Sequence, residues 1–186
     1  MRFSQLDRIT ELEKNESITA LKCLSLSEEY LQDHFPRFPI MPGVLMVESM
    51  FQTSMWLVRC SHDFDHSTVM LRETKSLTFR DFVQPGNSLE VKAKIKSVKG
   101  SLTTLQVNGT IDGAPAVKGR LVLDAYNLAE RQGVDPAVDG YMNREFRIKF
   151  RQLCSQMDKS VRESLMPEMT ITTPVRQFTE TMTDAI

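Results

Sequence analysis

The stretch Asp33-His34-Phe35-Pro36-Arg37-Phe38-Pro39-Ile40-Met41-Pro42-Gly43-Val44-Leu45-Met46-Val47-Glu48-Ser49-Met50-Phe51-Gln52 decides the fold. Its first part reads as a rigid loop. Pro36, Pro39 and Pro42 fix φ at every third position, and each disfavours helix in the residue before it. After Gly43 the pattern changes. Val44, Leu45, Val47, Met50, Phe51, Ser54, Met55, Leu57 and Val58 form an apolar surface too wide for one stripe. A helix apolar on most sides is a central, buried one. Pro42 followed by Gly43 suits its start.

Two polar residues stand out against this apolar background, His34 at the mouth of the loop and Glu48 among Val47, Met50 and Phe51. Apolar surroundings favour the neutral form of a carboxylic acid, and a histidine with a neutral acid makes a workable acid/base couple. The helix start adds a third element. The N–H groups of Gly43 and Val44 lack intrahelical partners and can polarise a carbonyl oxygen. Glycine there lets a substrate approach the backbone closely.

The run His-Phe-Pro, two residues, Pro, two residues, Pro-Gly-Val-Leu, two residues, Glu, and Gln four further on resembles the active-site segment of the 3-hydroxyacyl-(acyl-carrier-protein) dehydratases of hotdog fold. Leu6-Asp7-Arg8-Ile9 resembles that family's first strand, and Leu77 to Gly86 its strand and turn after the helix. The resemblance spans roughly residues 3–126. It implies that His34 acts on the substrate Cα proton, Glu48 on the hydroxyl, and the Gly43 N–H on the thioester carbonyl. Glu48, rather than Asp, resembles the dehydratase-only branch, which does not isomerise the double bond. In that family the acid and base that meet come from two protomers, so a homodimer is implied, with further assembly open. Asp33 departs from the pattern, because the family usually has Gly before the histidine. The chain also lacks the short N-terminal helix that often precedes the family's first strand.

The rest of the chain fits an α+β domain. Ile18, Ala20, Cys23, Leu24 and Leu26 suggest a strand, joined by a turn at Lys14-Asn15-Glu16-Ser17 to an ambiguous first segment, residues 3–13. Ser27 reads as the cap of a short helical turn at Glu28 to Gln32. After a polar break at residues 61–67, four strands follow. Leu89, Val91, Ala93 and Ile95 alternate with Glu90, Lys92, Lys94 and Lys96, and Asp112-Gly113 marks a hairpin. Two strands, a long helix and four strands predict an antiparallel sheet wrapped around one central helix. This order agrees with the hotdog fold. Residues 1–127 form that domain. Residues 128–186 form a C-terminal extension with a linker at Gly133, Pro136 and Gly140, an amphipathic helix over about 142–165, and an extended or disordered tail. That helix packs on the outside of the domain or serves as a lid or partner-binding element.

Composition narrows the function classes. A net charge of −1 gives no case for nucleic acid or an anionic membrane as partner. No apolar run is long enough to span a membrane, and residues 1–7 carry no signal-peptide core. Cys23, Cys60 and Cys154 are too few and too scattered for a disulfide framework, which points to the reducing cytoplasm. His62 and His66 flank acids at a spacing that suits a metal, but no third ligand is evident.

The activity that the resemblance implies is a hydro-lyase reaction. It dehydrates 3-hydroxyacyl thioesters, on acyl-carrier protein or coenzyme A, to trans-2-enoyl thioesters in fatty-acid or related acyl-chain synthesis, with no cofactor and no metal. Gln52, one turn after Glu48, can orient its carboxyl group. Val44, Phe38 and Phe82, with the methionines of the central stretch, are candidates for the substrate lining. A hotdog thioesterase, or a non-catalytic acyl-thioester-binding or assembly module, are the alternatives. An acidic carrier would be steered by Arg37 beside the loop, with Arg59, Arg72, Lys75 and Arg80 as further candidates.

Overall fold

A computed structural model describes residues 3–165. Six strands, β1 (Arg8–Glu13), β2 (Ser17–Cys23), β3 (Thr68–Phe79), β4 (Ser88–Lys99), β5 (Leu102–Ile111) and β6 (Ala114–Tyr126), form one sheet in the order β1-β2-β4-β5-β6-β3. Every neighbouring pair is antiparallel. The β4 alternation behaves as expected. Leu89, Val91 and Ala93 are buried, while Glu90, Lys92 and Lys94 face solvent. At the β5–β6 turn, Asp112 and Gly113 both take positive φ, 50° and 81°, as a tight two-residue hairpin requires.

The central helix α1 (Gly43–Ser61) lies against β2, β3, β4, β5 and β6. Met50, Leu57 and Val58 pack into a core with Leu89, Val91, Leu105, Leu121 and Leu123. From Gln52 to Cys60 every residue of α1 is buried, so the helix is covered on both sides. The sheet supplies one cover and the C-terminal extension the other.

The extension differs from its expected outline. A short helix α2 (Leu128–Gln132) comes first, followed by α3 (Pro136–Leu153) and α4 (Lys159–Leu165). The expected linker is largely helix. Asp135 caps α3 through the Ala137 N–H, and Pro136 takes the first helical position, where its missing N–H leaves no bond unmade. Gly140 lies inside α3. The single helix expected over residues 142–165 is broken after Leu153, because the Asp158 carboxylate accepts the Ser160 N–H and starts a new helix. The expected tail lies outside the described residues. Ser27 does not cap the turn before the loop. A single 3-10 turn at Glu29–Leu31 follows Glu28 without a side-chain cap, and the Ser27 hydroxyl bonds to Ser25.

Aromatic rings fasten α3 to α1. Trp56 lies 6.0 Å from Phe146 and 5.7 Å from Phe150, and Phe64 lies 5.2 Å from Phe150. The Arg59 guanidinium stacks 3.6 Å from the Phe146 ring centroid. Its Nη1 and Nη2 donate to the His66 and Ser67 carbonyls at 2.8 and 3.1 Å. Arg59 is 2% exposed, and burial lowers its pKa to about 10. It is a clamp inside the fold, which removes it from the candidates for steering a carrier. Asp139 of α3 accepts the Leu128 and Ala129 N–H groups at 2.9 and 3.0 Å, so α2 and α3 form one capped unit.

Candidate active site

The loop before α1 is held at both ends. The His34 N–H donates to the Tyr30 carbonyl at 3.0 Å, and the Met41 N–H to the Val83 carbonyl at 2.9 Å. Between these ties Phe35 takes a φ of 51°, a conformation that costs a bulky residue energy and that persists where the surroundings enforce it. The bend returns His34 toward the helix start. Its Nδ1 lies 3.1 Å from the Ile40 carbonyl oxygen. A carbonyl can only accept, so Nδ1 carries the hydrogen and Nε2 presents a lone pair.

The Leu45 N–H, on the Pro42 carbonyl at 2.9 Å, is the first in α1 to find an acceptor within the helix. The Gly43 and Val44 N–H groups precede it at the positive end of the dipole. Gly43 and His34 share one cleft of about 310 Å³, whose walls include Met46, Phe79, Arg80 and Phe82. Phe82 lines the same cleft as His34 and Gly43. Phe38 sits outside it, with its ring edge-on to Phe82 at 6.3 Å. Val44 is 75% exposed and does not line the cleft. The first residue of a helix end packs inward here, and the second projects to solvent. Arg37 and Asp33 are both exposed.

Glu48 stands apart from this cleft. It is half-buried on α1, and its Oε1 accepts the Gln52 Nε2–H at 2.7 Å. Gln52 is buried, and its contact with Glu48 is the one expected from a spacing of one helical turn. The fold therefore brings His34 and Gly43 together and, separately, Glu48 and Gln52. Phe79 is a cleft residue that the sequence reading did not single out, whereas Met46 is one of the methionines expected in the lining and Arg80 was expected only as a carrier-steering cation. Phe79 ends a strand whose pairing with β6 slips between Lys75 and Thr78, and its ring lies against the helix start at Gly43. The His62 and His66 rings lie 4.9 Å apart, and no group of three or more potential metal ligands occurs among the described residues.

Comparison with known proteins bears on the family and the fold. Residues 1–125 match the family model described as a FabA-like domain. The chain is 35% identical over 106 residues to a 3-hydroxyacyl-[acyl-carrier-protein] dehydratase FabZ of Levilactobacillus brevis, covering 57% of this chain and 72% of that protein. It is 33% identical over 119 residues to the enzyme of the same name from Ruminiclostridium cellulolyticum, covering 64% and 84%. Among solved structures, the dehydratase heterocomplex ApeI:P from Xenorhabdus doucetiae superposes with a TM-score of 0.58 at 17% identity, covering 69% of this chain and 87% of that one. The fluoroacetyl-CoA-specific thioesterase FlK superposes at 0.52 with 15% identity, covering 66% and 94%. These two likenesses share the hotdog fold across different activities, whereas the two sequence relatives above carry one name. With two thirds of its length matched to that model and a helix-wrapping antiparallel sheet, the chain belongs to the FabA-like domain family.

Proposed function

We propose that this protein dehydrates 3-hydroxyacyl thioesters to trans-2-enoyl thioesters in fatty-acid or related acyl-chain synthesis in the cytoplasm, on substrates carried by acyl-carrier protein or coenzyme A. The observation that carries this reading is the shared cleft, in which an imidazole with a free Nε2 lone pair and an unpaired helix-start N–H converge among apolar walls. His34 Nε2 takes the Cα proton. The negative charge that develops on the thioester oxygen is met by the Gly43 N–H. Glu48 serves as the acid and gives a proton to the β-hydroxyl, and the C–O bond breaks to release water. His34 then holds one proton and Glu48 lacks one, so a net transfer through solvent resets the pair. The steps need no metal or nucleotide cofactor.

That Glu48 does not line the cleft of its own protomer supports an acid supplied by a second copy of the chain, which completes each cleft. Strand β3 supports such a homodimer. It is the edge of the sheet and ends at the cleft, with Met70 and Phe79 exposed along it. Mixing two inactive variants tests both halves of the proposal. His34→Ala and Glu48→Gln should each cut turnover of a 3-hydroxyacyl thioester by at least about a hundredfold. Co-refolded in equal amounts, they should regain about a quarter of wild-type activity, since half the dimers carry one intact site. Activity in either variant alone would overturn the assignment of the pair. Inactive variants that do not complement would overturn the shared site.

A further inference from the structure

The main chain just before β1 is tied to the side chain that orients Glu48. The Gln5 N–H donates to Gln52 Oε1 at 2.9 Å, and Gln52 Nε2 donates to the Phe3 carbonyl at 2.7 Å and to Glu48 Oε1 at 2.7 Å. Gln52 is 3% exposed, so no water competes for these positions. Both hydrogens and the oxygen of the amide are engaged.

We infer that the backbone of Phe3 and Gln5 fixes the polarity of the Gln52 amide and through it positions Glu48 for proton transfer. This inference rests on the reading of Glu48 as the acid. A side-chain amide can ordinarily rotate by half a turn and exchange its donor and acceptor ends. Here rotation would set Nε2 against the Gln5 N–H, donor against donor, and Oε1 against the Phe3 carbonyl, acceptor against acceptor. A buried mismatch of that kind is costly at both ends. The NH2 group therefore always faces Glu48. In the neutral acid one oxygen is a carbonyl and the other carries the proton. With Oε1 receiving the Gln52 hydrogen, the transferable proton is held on Oε2. Leu6 anchors the segment in the core, and the Asp7 N–H bonds to the Leu21 carbonyl at 2.9 Å, so the clip is built onto the sheet. Gln5 and Phe3 are positioning residues that act through Gln52.

The test removes one main-chain hydrogen. Gln5→Pro lacks the N–H, while Gln5→Ala keeps it and loses only the side chain. Gln5→Pro should lower kcat about tenfold with KM within about twofold, and Gln5→Ala should leave both within about twofold. In a Gln52→Leu background, Gln5→Pro should add less than about a further twofold, because both changes break one chain of contacts. Losses that multiply in the double variant would assign Gln5 a general structural role and overturn the inference. So would an unchanged kcat in Gln5→Pro alongside an inactive Glu48→Gln, a result that leaves the acid in place. Full turnover by Glu48→Gln removes the acid and the inference together. The side-chain NH2 of Gln52 in the wild-type protein provides a measurement independent of folding in the variants. Its two hydrogens should give separate, exchange-protected NMR signals, and exchange as fast as that of an exposed glutamine would overturn the clip.

Discussion

The ring of Phe79 lies against the bare α-carbon of Gly43, where an added Cβ would stand 3.2 Å from Phe79 Cε1 and 3.3 Å from Cζ. The backbone of Gly43 is helical, so glycine is needed here for space. Gly43→Ala should therefore push the Phe79 ring into the cleft and lower kcat/KM by about tenfold, as a displacement of a few tenths of an ångström at a reacting centre does. Phe79→Leu should recover most of that loss in the double variant. Steady-state kinetics on the four combinations check this, and independent losses would show that the ring and the glycine do not constrain each other.

The aromatic clamp predicts that the extension belongs to the stability of the whole domain. Phe146 covers Trp56 and stacks on the buried Arg59 guanidinium. Phe146→Ala should destabilise the protein by about 3 kcal/mol, from lost ring packing and a cation left without its aromatic cover. Urea unfolding should show the loss as one transition shifted to lower denaturant. An unchanged midpoint would mean that α3 docks weakly. Turnover below the transition should stay near wild type, since Phe146 does not touch the cleft.

His62 sits at the C-terminal end of α1. Burial first, and then the charge of His66, lower its pKa from 6.5, with Asp65 and Asp63 opposing. In a base whose folded pKa is lowered, the unfolded chain binds the proton more readily. The penalty is absent well above pH 6.5 and grows as pH falls through that value toward the folded-state pKa. The melting temperature should accordingly fall on acidification from about pH 7.5 to about pH 5, and His62→Gln should flatten that fall. An identical slope in the variant would place the acid sensitivity elsewhere.

What could be read from the sequence divides by the distance over which its causes act. The β4 alternation, the Asp112-Gly113 turn and the loop-to-helix change at Gly43 depend on neighbouring residues, and they stand as expected. His34 and Gly43 were legible for the same reason, since one short loop joins them. Arg59 was misread because its burial depends on Phe146, far along the chain. Pro136 and Gly140 read as a linker, yet Asp135 turns the proline into a helix start. Spacing places Glu48 and Gln52 one turn apart but does not say which cleft they serve or that Phe3 and Gln5 tie them down. Nor does the sequence mark the slip in the β3–β6 pairing just before Phe79.

Arg37 supplies the last prediction. It is exposed on the loop that carries His34, and the overall charge of −1 gives no long-range attraction of its own for an acidic partner. A local cation beside the catalytic loop steers such a carrier only over about a Debye length, roughly 10 Å at 0.1 M salt. Lys75 on β3 is less available, because it pairs with Glu73 at 2.9 Å. Arg37→Glu should raise KM for a carrier-bound substrate by about tenfold at low salt with little change in kcat, and the defect should shrink as salt rises. A small uncharged thioester analogue should turn over at the wild-type rate, because Arg37 does not line the cleft. Equal losses on both substrates, insensitive to salt, would show that Arg37 shapes the strained loop around Phe35 and that carrier recognition lies elsewhere on the surface.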